Sequence, residues 1–299
     1  MNRTTNEAKY QQPPARDSHV TRRHLKFDPL RIISFLILLA ATTLMLLPLL
    51  FMVSTSLKSK RELLKFPPTF LPETWQWSNY KDIFDTLDFG TLYGNSLFVG
   101  IVTVIGTVAS SALAAYGFAR FRGRGRNMWF LLLLSTMMLP YPAIMIPQFV
   151  LFSKMGWIDT FLPLIVPAFL GSAYNIFLLR QFFATLPEEL FDAGRIDGCG
   201  ELRMWSSIAL PLSGPALATV AIFSFIYSWN DLLTPVLYLS SSDKFTLPIG
   251  MSSLTSSRFR IPPWHLLMVA SVLAVLPVVA LFAIAQRRFV EGIVLTGIK

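Results

Sequence analysis

Residues 186–200 read LPEELFDAGRIDGCG, with four carboxylates, one arginine, three glycines and a cysteine in fifteen positions. Long apolar segments lie on both sides, so the stretch decides how the chain is organised. Thr185 and Glu188 fit a capping box, T-x-x-E, with Pro187 in the first turn. Gly198 and Gly200 fit a helix stop, because glycine adopts the left-handed geometry of a C-terminal cap without strain. The pattern predicts a helix over Thr185–Gly198, with Leu186, Leu190 and Ala193 on one face and Glu188, Asp192 and Arg195 on the other. It is too short and too polar to cross a bilayer, so it belongs outside one. A second short helix, ELRMWSSIALP at 201–211, is expected to lay Leu202, Trp205 and Ile208 on the membrane interface or on a helical bundle. Two readings of the stretch stand: an amphipathic connector, or a rigid peg offered to a partner.

Outward from this stretch, the chain is a membrane protein by composition. Of 299 residues 53% are hydrophobic and only 14% charged, and mean hydropathy is +0.53. Soluble domains carry about 25% charged residues. Six segments are long and apolar enough to span, near Leu30–Ser54, Asn95–Phe118, Met128–Phe152, Phe161–Phe183, Pro211–Tyr238 and Leu266–Gln286. The first follows a polar stretch, residues 1–29, and is too long for a cleaved leader, so it reads as a retained anchor. Residues 1–29 are expected to be a disordered cytoplasmic tail, and 30–299 the six-helix domain, interrupted by the polar loop 184–210. With the N-terminus inside, the inner segments hold 15 Lys plus Arg against 9 outside. The tether ARFRGRGRN at 119–127 alone holds four arginines. Positive charge resists translocation, so both termini are expected in the cytoplasm. The net charge of +9 is thereby explained without a nucleic-acid partner.

The spans are irregular. Pro140, Pro142 and Pro147 interrupt the third, and Pro163 and Pro167 the fourth. Each removes a backbone donor, which serves packing kinks or a translocation path. Gly106, Ser110 and Ala114 form a small-residue seam on the second span. Polar residues inside spans are Tyr141, Gln148, Tyr174, Asn175, Tyr227, Asn230 and Asp231. Asp231 is the one acidic residue well inside a span. It is either a functional group or, with Asn230, a helix cap. Catalytic and metal signatures are missing: the sequence has no phosphate-binding G-x-x-x-x-G-K-[ST], no G-x-S-x-G and no H-E-x-x-H. His19, His24 and His265 share no ligand spacing, and Cys199 reads as a small filler.

The polar stretch resembles the cytoplasmic loop of permease subunits in binding-protein-dependent ABC importers. That signature is E-A-A-x-x-x-G followed, nine residues on, by I-x-L-P. Its counterparts are Asp192, Ala193, Gly194 and Gly198, then Ile208, Leu210 and Pro211. Asp192 replaces Glu and Gly194 replaces Ala. RIDG at 195–198, SWNDLLTPVLYL at 228–239, FPPTFLPETWQWSNYKDIF at 66–84 and QRRFVEGIVLTGIK at 286–299 are similar to the carbohydrate branch, on the side of the smaller maltose-type permease subunit.

The resemblance implies an all-α permease of six transmembrane helices in a bacterial-type cytoplasmic membrane, paired with a second, related permease. It implies two ATP-binding subunits and an extracytoplasmic substrate-binding protein. The chain itself would bind no cofactor, ATP being used by the partner. The helix over 185–198 would be the element that docks on the ATPase, with Asp192 and Gly198 foremost and Glu189, Ala193, Arg195 and Asp197 beside them. A sugar path would use Tyr141, Asn175, Tyr227, Asn230 and Asp231. Trp75, Trp77 and Tyr80 would meet the binding protein or anchor at the bilayer surface. A glycerol-phosphate importer is the alternative within the family. An ion-coupled secondary transporter is the alternative outside it, and it would want more ionisable groups at mid-membrane.

Overall fold

The computed structural model describes residues 29–256 and 261–296, with backbone alone at Pro29, Arg31 and 285–296. The expectation of a disordered tail falls almost wholly outside the described residues. Those residues form fourteen α-helices joined by short 3₁₀ and π turns. The chain divides into two units, 1–48 and 49–299. In the first, α1 (Pro29–Ser56) begins. There Ser34, Thr42 and Thr43 each donate to the carbonyl four residues earlier, which lets a hydroxyl sit within an apolar helix.

The second unit holds the end of α1 and everything after it. A short helix α2 (Asn79–Thr86) precedes α3 (Phe89–Arg120), the longest helix of this unit with complete side chains. Then come α4 (Arg126–Ser135), α5 (Tyr141–Lys154), α6 (Leu162–Ile165) and α7 (Ala173–Thr185). After the polar stretch, α8 (Glu188–Ile196), lie α9 (Glu201–Met204), α10 (Leu210–Leu212) and α11 (Gly214–Trp229). The chain continues through α12 (Leu233–Tyr238), α13 (Leu247–Ser253) and α14 (Trp264–Thr296).

Four segments, Ile32–Ser56, Phe89–Arg120, Leu162–Thr185 and Trp264–Ile284, are each long and apolar enough to cross a membrane. Among the described residues, the number rises to six when each of two bent pairs is one span: Arg126–Met138 with Tyr141–Lys154, at 98°, and Glu201–Leu212 with Gly214–Trp229, at 82°. The first bend has a simple cause. Leu139 precedes a proline and is extended, with φ −80° and ψ 116°, because the proline ring excludes helical geometry from its predecessor. The fourth span also breaks, with a 3₁₀ turn at Val166–Leu170 and Gly171 at φ +84°.

One boundary needs correction. The fifth span does not run on to Tyr238. It ends at Trp229, because Asn230 folds its amide back onto the Ile226 carbonyl at 2.8 Å. Asp231 Oδ1 then accepts the Thr234 amide at 3.1 Å in the first turn of α12. Two adjacent polar side chains thus satisfy the end of one helix and the start of the next.

The small-residue seam of α3 receives the broken part of the fourth span. A Cβ on Gly106 would lie 2.7 Å from the Phe169 ring. Ser110 Oγ reaches the Ala168 carbonyl at 3.0 Å, and Ser111 Oγ accepts the Ser172 amide at 3.3 Å. Two apolar clusters occupy opposite ends of α3. One gathers Ala112, Tyr116, Leu179, Phe183, Phe191 and Met204. The other gathers Ile83, Phe89, Leu92, Trp229, Leu247 and Val269.

Candidate functional site

Two regions carry the candidate residues: α8 with its seat, and a cavity between the broken spans. α8 is shorter than expected. Its first residue is Glu188, after an extended Pro187 that lacks a capping side chain. Thr185 does not cap it, since its hydroxyl donates to the Phe182 carbonyl at the end of α7. The expected apolar face is also different. Leu190 and Ala193 point outward, and the buried residues are Phe191 (1% exposed) and Gly194. The reason lies in what they meet. Phe191 packs among Tyr116, Phe183 and Met204, and the Arg120 guanidinium stacks over its ring at 4.0 Å. A Cβ on Gly194 would sit 3.1 Å from Ile208 Cδ1, so glycine here serves close packing of α8 on the following segment. Met204 is buried with Trp205 and Ile208 against the same cluster, while Leu202 is exposed.

Gly198 stops the helix as the sequence predicts, whereas Gly200, extended at φ −73°, caps the start of α9 instead. Gly198 adopts φ +77°, the Gly198 amide bonds Arg195 O at 3.0 Å, and the Cys199 amide bonds Gly194 O at 2.9 Å. This is a Schellman motif, and half-buried Cys199 supplies its apolar contact.

The seat is clamped from both sides. Arg120, at the end of α3, donates to Phe183 O at 2.8 Å and Leu186 O at 2.7 Å, which caps α7. Arg180, in α7, donates to Phe118 O at 3.2 Å near the end of α3. Each helix terminus thus receives a cation from the other, where the backbone dipole favours one. Tyr116 OH donates to Glu201 Oε2 at 3.0 Å. Glu201 lies 4.0 Å from Arg195, which pairs with Asp192 at 2.7 Å. Glu189, Asp192, Ala193, Arg195, Asp197 and Gly198 are all exposed, beside exposed Leu190 and Ile196 (87%). All six predicted residues are therefore exposed on α8 or on the cap that ends it.

The cavity has a volume of about 700 Å³. Four of the five predicted path residues line it: Tyr141, Asn175, Tyr227 and Asp231. Asn230 does not, because its amide is used in capping α11. Tyr174 and Phe223 add aromatic surface, and Thr103, Thr107, Gln148, Ser172, Ser224 and Thr234 add hydroxyls and an amide. Thr103 Oγ1, Gln148 Oε1 and Ser224 Oγ have no partner among the described residues. None of the lining residues is a lysine, arginine or histidine. The hydroxyl residues are invisible to a search for membrane charge, since single Ser and Thr residues are ordinary in apolar helices.

Beyond α12, Asp159 fastens the α5–α6 turn to residues 238–244. Its amide donates to Tyr238 O at 2.8 Å. Its carboxylate accepts from the Ser240 and Ser241 amides, the Ser241 hydroxyl and Lys244 Nζ. The Ser241 hydroxyl and then these amides hold its pKa well below the usual carboxylate range. Near the end of α1, Trp75 and Trp77 stack at 6.3 Å and are exposed, held by the Gln76 amide on Leu57 O at 2.9 Å.

A family model described as "Binding-protein-dependent transport system inner membrane component" matches residues 106–294. The chain belongs to this family. The permease is 36% identical, over 84% of its own length and 90% of the relative's, to the arabinooligosaccharides transport system permease protein AraQ of Halalkalibacterium halodurans. It is 33% identical to the sn-glycerol-3-phosphate transport system permease protein UgpE of Yersinia enterocolitica, over 89% and 96%. In fold it matches a chain of a bacterial ABC transporter that imports the acidic polysaccharide alginate. The TM-score is 0.77 at 23% identity, with 87% of the permease and 96% of that chain covered. The permease is thus an inner-membrane transport component, and its six-span helical architecture is that of an ABC importer subunit. Residues 106–294 include α8, its seat and most of the cavity.

Proposed function

We propose that this permease forms half of the path of an ATP-driven importer for a neutral sugar or oligosaccharide. A second, related permease would complete the path. Two ATPase copies would bind at α8, and an extracytoplasmic binding protein would deliver the solute at the opposite end, with both termini of the permease cytoplasmic. The observation that carries the reading is the cavity lining: aromatic faces, hydroxyls and amides with one carboxylate and no cation. Sugars offer rings to aromatic faces and hydroxyls to such polar groups. A phosphate ester or uronate would face Asp231 without a compensating charge, which costs affinity in a low-dielectric path. Glycerol phosphate remains a second reading because UgpE is nearly as similar as AraQ.

α8 would act as the coupling helix. It is a short rigid element whose buried side anchors in the bundle and whose exposed side presents Leu190, Ala193 and Ile196 among charges. A movement of the ATPase would then reach α3 and α7 through Phe191 and Arg120. Ion coupling has less support, since Asp231 serves as a helix cap.

The test is uptake by the full importer in proteoliposomes, offered arabinotriose or glycerol 3-phosphate, with wild type and Ala193→Trp. Ala193 is exposed, so the bulk obstructs docking and leaves folding intact. Arabinotriose uptake is expected for wild type, with a loss of about tenfold or more in the variant, the worth of one well-packed interface residue. Unchanged uptake by the variant would remove α8 from coupling. Transport of glycerol 3-phosphate alone would overturn the neutral-sugar reading.

A further inference from the structure

The turn between α3 and α4 plays no part in the path or in the α8 seat, apart from one ion pair. We propose that it binds the phosphate headgroup of an anionic membrane lipid. Residues 122–128 curl into an open bowl of about 460 Å³. Three arginines line it. Arg126 folds back to donate to Phe121 O at 3.0 Å. Arg122 reaches Glu188 at 3.0 Å yet stays 86% exposed. Arg124 is exposed and has no partner among the described residues.

The floor of the bowl is the N-terminus of α4. Gly125 occupies the cap position at φ +83° with no side chain to accept a hydrogen bond. The amides of Asn127 and Met128 lie in the first turn, where no intrahelical acceptor exists, and the helix end carries partial positive charge. Guanidinium groups and free amides around one opening suit a phosphodiester, which takes charge-assisted hydrogen bonds from both.

The rim argues for a lipid rather than a free phosphate or an acidic protein surface. The bowl joins two membrane helices, α3 ending at Arg120 and α4 starting at Arg126. Phe121, Met128, Trp129 and Leu131 stand exposed around and just beyond it, where acyl chains would lie. The Trp129 indole passes over Gly125, with Cδ1 3.8 Å from the position of a Cβ there. An indole at that level is the usual companion of headgroups. A lipid satisfies both halves of the site at once, whereas inorganic phosphate would leave the apolar rim in water.

The experiment is native mass spectrometry of the full-length chain in neutral detergent, titrated with phosphatidylglycerol or phosphatidylcholine. The variants are Arg124→Gln and, as a control, Arg203→Gln, an exposed arginine beyond α8. Arg124 is exposed and has no partner among the described residues, so its replacement leaves folding intact, checked by thermal unfolding. Phosphatidylglycerol is expected to bind at least about fivefold tighter than phosphatidylcholine, and Arg124→Gln to remove about fivefold, the effect of one cation beside a headgroup. Arg203→Gln should change nothing. Equal binding of the two lipids, or an unaltered Arg124→Gln, would overturn the site. Displacement of phosphatidylglycerol by inorganic phosphate would do the same. Loss of the co-purified ATPase subunit from Arg124→Gln with lipid binding intact would assign the arginines to a protein contact instead.

Discussion

At the α8 end of α3, Arg120 holds two carbonyls of another helix and stacks on a buried ring, while Arg180 returns the contact from α7. Farther along the same helix, Thr103 points a hydroxyl with no partner among the described residues toward a cavity shared with Gln148 and Ser224. The two regions share a scaffold and are built for opposite tasks. A seat that transmits displacement needs donors locked to acceptors on neighbouring elements, so that it moves as one body. A path needs polar groups left over for what passes, and broken helices around it that can change shape. Unpaired buried hydroxyls are costly, so Thr103 and Ser224 mark stability given up along the cavity.

The largest effect that would break this contrast is expected from Phe191→Ala. The ring is fully enclosed, and truncation should cost about 3–5 kcal/mol, partly by freeing α8. Limited proteolysis within 186–200 should accelerate sharply, and ATP hydrolysis by the complex should continue without uptake. Unchanged proteolysis would mean that α8 is held by something other than this ring. Thr103→Val should act in the other direction. Removing an unpartnered buried hydroxyl should leave the thermal midpoint unchanged or raise stability by about 1 kcal/mol, while lowering solute uptake. A fall in stability would show that the hydroxyl is bonded, and the contrast would lose its basis. Gly194→Ala should be smallest. The added methyl favours the helix by about 1 kcal/mol, but it lands 3.1 Å from Ile208 Cδ1. That atom is the end of a flexible side chain and can move, so the net gain should be below about 1 kcal/mol. A large loss in unfolding measurements would mean that the α8 seat cannot yield at all.

How far the sequence could be read depended on whether a residue acts locally. Gly198 and Cys199 end α8 through bonds to Arg195 and Gly194, all within a few positions, and the pattern predicts the stop at Gly198. Asn230 and Asp231 are also local, and the cap was one of the two readings open for them. Thr185 departs from the capping box because its hydroxyl is equally satisfied by the last turn of α7, where it bonds Phe182 O. The spacing of Leu186, Leu190 and Ala193 suggests one apolar face, and of these only Leu186 packs on the core, because a helix with apolar residues on more than one side buries whichever meets the bundle. Nothing near Phe191 in sequence says that Arg120 lies over its ring.

The sequence by itself determined the membrane class, the proline breaks and the existence of a polar helix stopped at Gly198, because hydropathy, ring geometry and glycine conformation act over a few residues. Its arginine-rich tether also located the basic turn. Only the tertiary structure decided which side of α8 is buried, that Arg120 and Arg180 clamp each other's helices, and that Thr103, Ser172 and Ser224 join Tyr141, Asn175, Tyr227 and Asp231 around one cavity. Those outcomes depend on the crossing of α3, α7 and α11. Crossing is a property of packed surfaces far apart in the chain, which no local pattern encodes.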